Sequence, residues 1–208
     1  MHMALLATAA IGTGVLPGVA RGADPDASHS ARRGAPASDG QVREYVDEIT
    51  AVSITVPVDS LVFARERTDL AVNARDYLTL APLEINRTGH RAYFWSGYLW
   101  STIDRRNREP ILAPGDELVL VADGRPIHLR SAGTSLRDQG VGEPPTPMPL
   151  RTATPVLFAS SPDVLAYVAR ADEVHVELIH EGRSDSFPLW RDGRDALRAF
   201  VERLNLTD

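Results

Sequence analysis

From Val42 onward, apolar residues recur at every second position in short runs separated by turn residues, and this alternation most tightly limits what the chain can fold into. In ITAVSITVPV, residues 49–58, Val52, Ile54, Val56 and Val58 alternate with smaller or polar neighbours, the mark of a strand with one face in a core. LVFA follows at 61–64. DYLTLAPLEI and RAYFWSGYLWSTI flank NRTGH at 86–90, whose Asn and Gly suit a hairpin link. Pro82 has no N–H to give a ladder, so its strand is expected to be irregular or at a sheet edge there. ELVLVADGRPIHL, 117–129, predicts a second hairpin turning at Asp123-Gly124. VLFAS, EVHVELIHEG and SFPLW read as three more strands, the last two joined through Gly182-Arg183.

Two segments change to a helical period. Ser161-Pro162-Asp163 opens a short helix, with Ser at the cap, Pro in the first turn, and Val164, Leu165 and Val168 as its buried stripe. Asp192 is expected to cap a final helix, in which Leu197, Phe200, Val201 and Leu204 follow the i, i+3, i+4, i+7 spacing of a docked face. Between the strands, VGEPPTPMPLRTATP at 141–155 holds five prolines and predicts an extended surface crossover. The fold class that follows is α+β: a largely antiparallel β-sheet or sandwich with two short-to-medium helices in the C-terminal third packed on it. Residues 42–208 form a single β-rich domain in this reading.

The N-terminal region reads differently. Residues 4–16, ALLATAAIGTGVL, are an uncharged apolar run that suits a signal-peptide core and is too short to span a bilayer. Residues 1–20 therefore read as a signal peptide cleaved after Ala20 or Gly22, leaving no transmembrane span. Residues 21–41 are rich in Gly, Ala, Ser, Pro and Asp and predict a disordered linker, because they cannot bury enough surface to offset their ordering entropy.

Composition narrows the chemistry. A net charge of −6 without a basic stripe argues against nucleic-acid binding. With no cysteine, thiol nucleophiles, thiolate metal sites and a lipid-modified cysteine are excluded. All 22 basic residues are arginine, which excludes Schiff-base catalysis and a phosphate-loop lysine. His175 and His180 lie five apart on one strand and face opposite sides, so they cannot share a metal. His90 and His128 have nothing at ligand spacing. No cofactor and no metal are expected, and no catalytic residues stand out.

The remaining candidate is the aromatic strand, which packs five of the thirteen aromatic residues between Tyr93 and Trp100. Its odd positions, including Trp95, Leu99 and Ile103, carry no charge and should face the core. Its even positions either receive the C-terminal helix, the favoured arrangement, or form an exposed platform for a ligand or partner through Phe94, Tyr98, Trp100 and Asp104.

REYVDEITAVSITVPVDSLVFARE, NARDYLTLAPLEINRTG and YLWSTIDRR together resemble segments of uncharacterised exported proteins and lipoproteins of Proteobacteria, over about residues 42–200. The resemblance implies a bacterial cell-envelope setting and supplies no activity, while the absent cysteine departs from its lipoprotein members. The expected function is a non-enzymatic, exported, periplasmic binding or accessory module, with an envelope protein or glycan as partner. The alternatives are a hydrolase assembled from distant loop residues and an oligomerising structural protein.

Overall fold

The computed structural model describes residues 40–69, 73–103, 116–133 and 135–204. The proposed signal peptide, most of the proposed linker and Asp104 lie outside the described residues.

Period-two alternation becomes strand throughout. Two strands, β1 (Val42–Val46) and β2 (Ser53–Pro57), form a ribbon that precedes β3 (Leu61–Glu66). The long hairpin is β4 (Arg75–Arg87) and β5 (His90–Ser101), turning on Thr88 and Gly89, both at positive φ, so the link is two residues. A second hairpin, β6 (Glu117–Ala122) and β7 (Arg125–Ser131), turns on Asp123 and Gly124 in the same way. The proline-rich crossover leads to β8 (Thr154–Ser160), then α1 (Pro162–Arg170), β9 (Val174–His180), β10 (Arg183–Arg191) and α2 (Arg194–Arg203).

The antiparallel sheet does not fold into a sandwich. Its strand order runs β4-β3-β10-β9-β6-β7-β8-β5, and β5 pairs with β4 along its whole length, so eight strands close into a barrel. Closure satisfies the two edges that a sandwich would have left open. At Pro82 the ladder is interrupted on one side, as its missing N–H requires. The first half of β4 pairs with β3 through Leu80, its second half pairs with β2 from Glu84, and Pro82 lies between the two partners, opposite Trp95 on β5. The missing N–H falls where one neighbour has ended and the next has not begun.

The inward positions form one continuous layer. Phe63, Leu78, Leu80, Trp95, Leu120, Val176 and Phe187 are all fully buried, and the strand registers place them on the same side of the sheet. The barrel is thus filled by side chains, as expected for eight strands. Outward positions of β6, β7 and β9 carry Glu117, His128, Arg130, His175 and Glu177 interspersed with Val119, Val121 and Ile179. Among the described residues no helix is long and apolar enough to cross a membrane.

Both helices close one end of the barrel. They leave from the ends of β8 and β10, and Leu165, Val168, Leu197, Phe200 and Val201 join the barrel's own core cluster. The Tyr167 hydroxyl donates to the Ala122 carbonyl at the end of β6, 3.1 Å away. Ser161 caps α1, its hydroxyl accepting from the Val164 N–H. In α2 the cap position falls on Gly193, while the Asp192 carboxylate still accepts from the Arg194 N–H at 2.9 Å. A side chain at 193 would collide with the Ser60 carbonyl, since an added Cβ would sit 2.4 Å from it, which explains glycine there.

Candidate functional site

The aromatic strand β5 splits by parity. Its odd face enters the barrel: Trp95 and Leu99 are buried there, and Gly97 stands opposite Leu80. The even face points outward. It does not receive the C-terminal helix, because α2 lies at the end of the barrel among the inward-facing residues. Two other segments cover it. Phe94 packs in a second apolar cluster with Val52, Ile54 and Val56 of the β1–β2 ribbon, together with Leu83, Leu157 and Val141. Tyr98 lies beneath the proline-rich crossover and donates its hydroxyl to the Thr146 carbonyl at 2.9 Å. Burial pushes the Tyr98 phenol up from its ordinary pKa, against the bond to Thr146.

The crossover is held down as a strap at three points. At its start, the Gly142 N–H donates to the carboxylate of buried Asp47. One residue before the Tyr98 bond, Arg43 donates to the Pro145 carbonyl at 2.9 Å, and Pro145 itself is buried. Asp47 also accepts from the Ile49 and Thr50 N–H groups. Burial alone would raise this carboxyl; its bonds to Gly142, Ile49 and Thr50 together outweigh that and hold it below the usual aspartate range.

Among the three described partner-binding candidates, Phe94, Tyr98 and Trp100, only Trp100 stays accessible. It is half-buried and stacks on Tyr77, its cross-strand partner on β4, with ring centroids 5.2 Å apart and planes 12° apart. Trp190 meets Tyr77 edge-on at 6.4 Å and 83°, so it stands nearly at right angles to the stacked pair. Trp190 sits at an irregularity where β10 pairs with β3, and 57% of its surface is exposed. The Arg75 guanidinium lies 4.6 Å over the Trp190 ring and donates to Glu66 at 2.6 Å, a bond that raises the arginine pKa. The small Ala64, opposite Tyr77 on β3, lies between the two strands that carry Tyr77 and Trp190. These side chains make an aromatic corner on the outer wall.

Phe94 and Tyr98 are therefore removed from any free platform, and Asp104 is outside the described residues. Tyr77, Trp190 and Arg75 were not singled out from the sequence. The signal for Trp190 was there: Phe187 and Leu189 share the inward parity of their strand, which leaves a tryptophan pointing outward.

Other polar clusters lie elsewhere. At the barrel end opposite the helices, fully buried Asp76 accepts from Arg65 at 2.8 Å and from Arg67 at 3.2 Å, while Arg65 also pairs with Asp185. On a different part of the wall His128 pairs with Glu117, and His175 lies 3.6 Å from Glu177. Among the described residues no three His, Asp or Glu side chains are arranged to hold a metal. A shallow groove of about 590 Å³ is lined by Thr50, Val52, Arg87, Thr88, Arg137 and Asp138, where one carboxylate shares the space with two guanidiniums.

Comparison with family models, with curated proteins and with solved structures returned no match.

Proposed function

We propose that the chain is an exported protein of the bacterial cell envelope that works as a non-enzymatic binding module, meeting its partner through the outer corner of Tyr77, Trp100 and Trp190. The observation that carries this reading is Trp190, a large apolar ring left 57% exposed beside two further accessible aromatics. Exposed Trp and Tyr with an adjacent Arg are the residue types that dominate binding hot spots. The filled interior points the same way, because a ligand would have to be met outside the barrel. Export rests on the apolar run at 4–16, and the envelope setting rests on the resemblance described above.

Co-sedimentation with an insoluble cell-envelope preparation tests the reading. Wild-type protein should be retained, whereas Trp190→Ala and Trp100→Ala should each lose about 2 kcal/mol of binding, roughly thirtyfold in affinity. His128→Ala, far round the wall, should leave retention unchanged. Retention that is absent in the wild type, or indifferent to both tryptophans, removes the proposal. A change in the molecular mass of the protein on Trp190→Ala, with no envelope retention, would move the reading to self-association through the same corner.

A further inference from the structure

We infer that the groove at the tip of the β4–β5 hairpin is a second binding site, one that takes the oxyanion group, carboxylate or phosphate, of a small molecule. It is separate from the outer corner: Tyr77 pairs with Trp100 towards one end of the hairpin and Arg87 with His90 at the other, roughly 33 Å apart along the strand. Three turns meet at the groove, namely the β1–β2 turn, the hairpin turn and a short 3-10 turn at Leu136–Gln139. Each is fixed by a side chain. Asp47 accepts from the Thr50 N–H at 3.3 Å, Asn86 from the Gly89 N–H at 3.0 Å, and Ser135 from the Arg137 N–H at 3.1 Å. The lining is thus held in place before any ligand arrives.

Two guanidiniums line this space, and no acid answers either. Among the described residues Arg87 and Arg137 have no side-chain ion pair or hydrogen bond, whereas Arg91 on the same hairpin is paired with Glu84 at 3.2 Å. Arg87 is seated by packing instead: a Cβ added at Gly140 would lie 2.7 Å from its Nη2 and 3.5 Å from its Cζ, so the guanidinium occupies room that glycine leaves. Asp138 is the acid in the lining, and its Oδ2 lies beside Gly133, 3.1 Å from the Cβ position there, without an ion pair to either arginine. The described lining therefore keeps two positive charges against one negative. Arginine forks match carboxylate and phosphate oxygens in geometry as well as in charge. Thr88 adds a hydroxyl from a turn position at φ 48°, which ordinarily goes to Asn or Gly and disfavours a β-branched residue. Buried Val52 supplies an apolar side. At about 590 Å³ the groove falls within the usual size of small-molecule sites, about 300–1,000 Å³.

The test titrates the nitrogen-15-labelled full chain, at constant ionic strength, with inorganic phosphate and with glucuronate, and with glucose as the neutral control. The amide signals of Thr88, Gly89 and Gly140 should shift saturably with at least one of the two anions and stay fixed with glucose. Which anion binds tighter tells a phosphate site from a carboxylate site. Arg87→Gln and Arg137→Gln should each weaken binding about tenfold, the size of one charge-assisted hydrogen bond. Asp138→Asn should tighten it, because a competing negative charge is removed, and loss of fold cannot imitate that gain. No saturable shift with either anion would overturn the inference, as would equal shifts with glucose. Binding left unchanged by either arginine variant, or weakened by Asp138→Asn, would overturn it too. The indole signals of Trp100 and Trp190 should not move in these titrations, so the groove and the outer corner stand or fall separately.

Discussion

Gly97 shows how one residue sets the curvature of the wall. An added Cβ there would lie 1.7 Å from the Thr79 carbonyl oxygen, inside any allowed contact, so β4 and β5 approach this closely only over glycine. The ladder adjusts at the same place: the Thr79 hydroxyl accepts the Tyr98 N–H at 3.0 Å. Gly97→Ala should therefore cost about 3 kcal/mol, at the upper end of ordinary overpacking, measured as a lowered urea midpoint. A neutral result would mean that the strands are not in this register. Asp76 is the second such position. Fully buried and bonded to two arginines, it should cost about 3–5 kcal/mol when changed to Ala, because the guanidiniums lose a buried counter-charge. Asp76→Asn should cost less, and urea denaturation of the two variants separates the charge from the hydrogen bonds. Neither effect was legible in the sequence. Gly97 reads as a gap in an aromatic strand, and Asp76 as the polar start of one, until strand pairing brings the Thr79 carbonyl against Gly97 and Arg65 opposite Asp76.

At the scale of elements, local pattern carried most of what was readable. The hairpin turns at Asp123-Gly124 and Thr88-Gly89, the Ser161 cap and the buried stripe of α2 all depend on neighbours within a few residues. The cover over β5 does not. The strap is held through its backbone, by the Pro145 and Thr146 carbonyls and the Gly142 N–H, and such contacts leave no periodic trace in the side chains. The amphipathic α2 was the element expected to cover that face, and it went to the barrel end instead.

The strap also has a pH signature. The Asp47 carboxyl is held below its usual range, so the stability it contributes is present above the unfolded aspartate pKa and is lost as pH falls through the lower folded value. Glu84 acts in the opposite sense. Burial raises it, against attraction to Arg91 and a bond to Thr55, so the folded state holds its proton more tightly and loses stability as pH rises from the unfolded glutamate pKa to the folded one. Asp47→Ala should speed amide exchange at Ile49, Thr50 and Gly142 and open residues 141–153 to proteolysis at neutral pH, while barrel amides stay protected. Unchanged exchange at those three amides would show that Asp47 does not hold the strap.

For the whole molecule, antiparallel strands and late helices were foreseeable, and barrel closure was not. Closure depends on β3 meeting β10 and β5 meeting β8, pairings between segments far apart in sequence that alternation alone cannot choose. A strand with one buried face looks the same in a sandwich and a barrel. Closure in turn decides the site, because it turns the even face of β5 outward and brings Trp190 on the last strand beside Tyr77 and Trp100. The three tryptophans then divide by location: Trp95 is sealed in the barrel, while Trp100 and Trp190 lie on its outer wall. Their indole N–H resonances in a nitrogen-15-labelled sample report each one separately. On titration with solubilised envelope material, the signals of Trp100 and Trp190 should shift together while that of Trp95 stays fixed. Three unmoved signals, or a shift at Trp95 alone, would contradict the outer corner as the binding site.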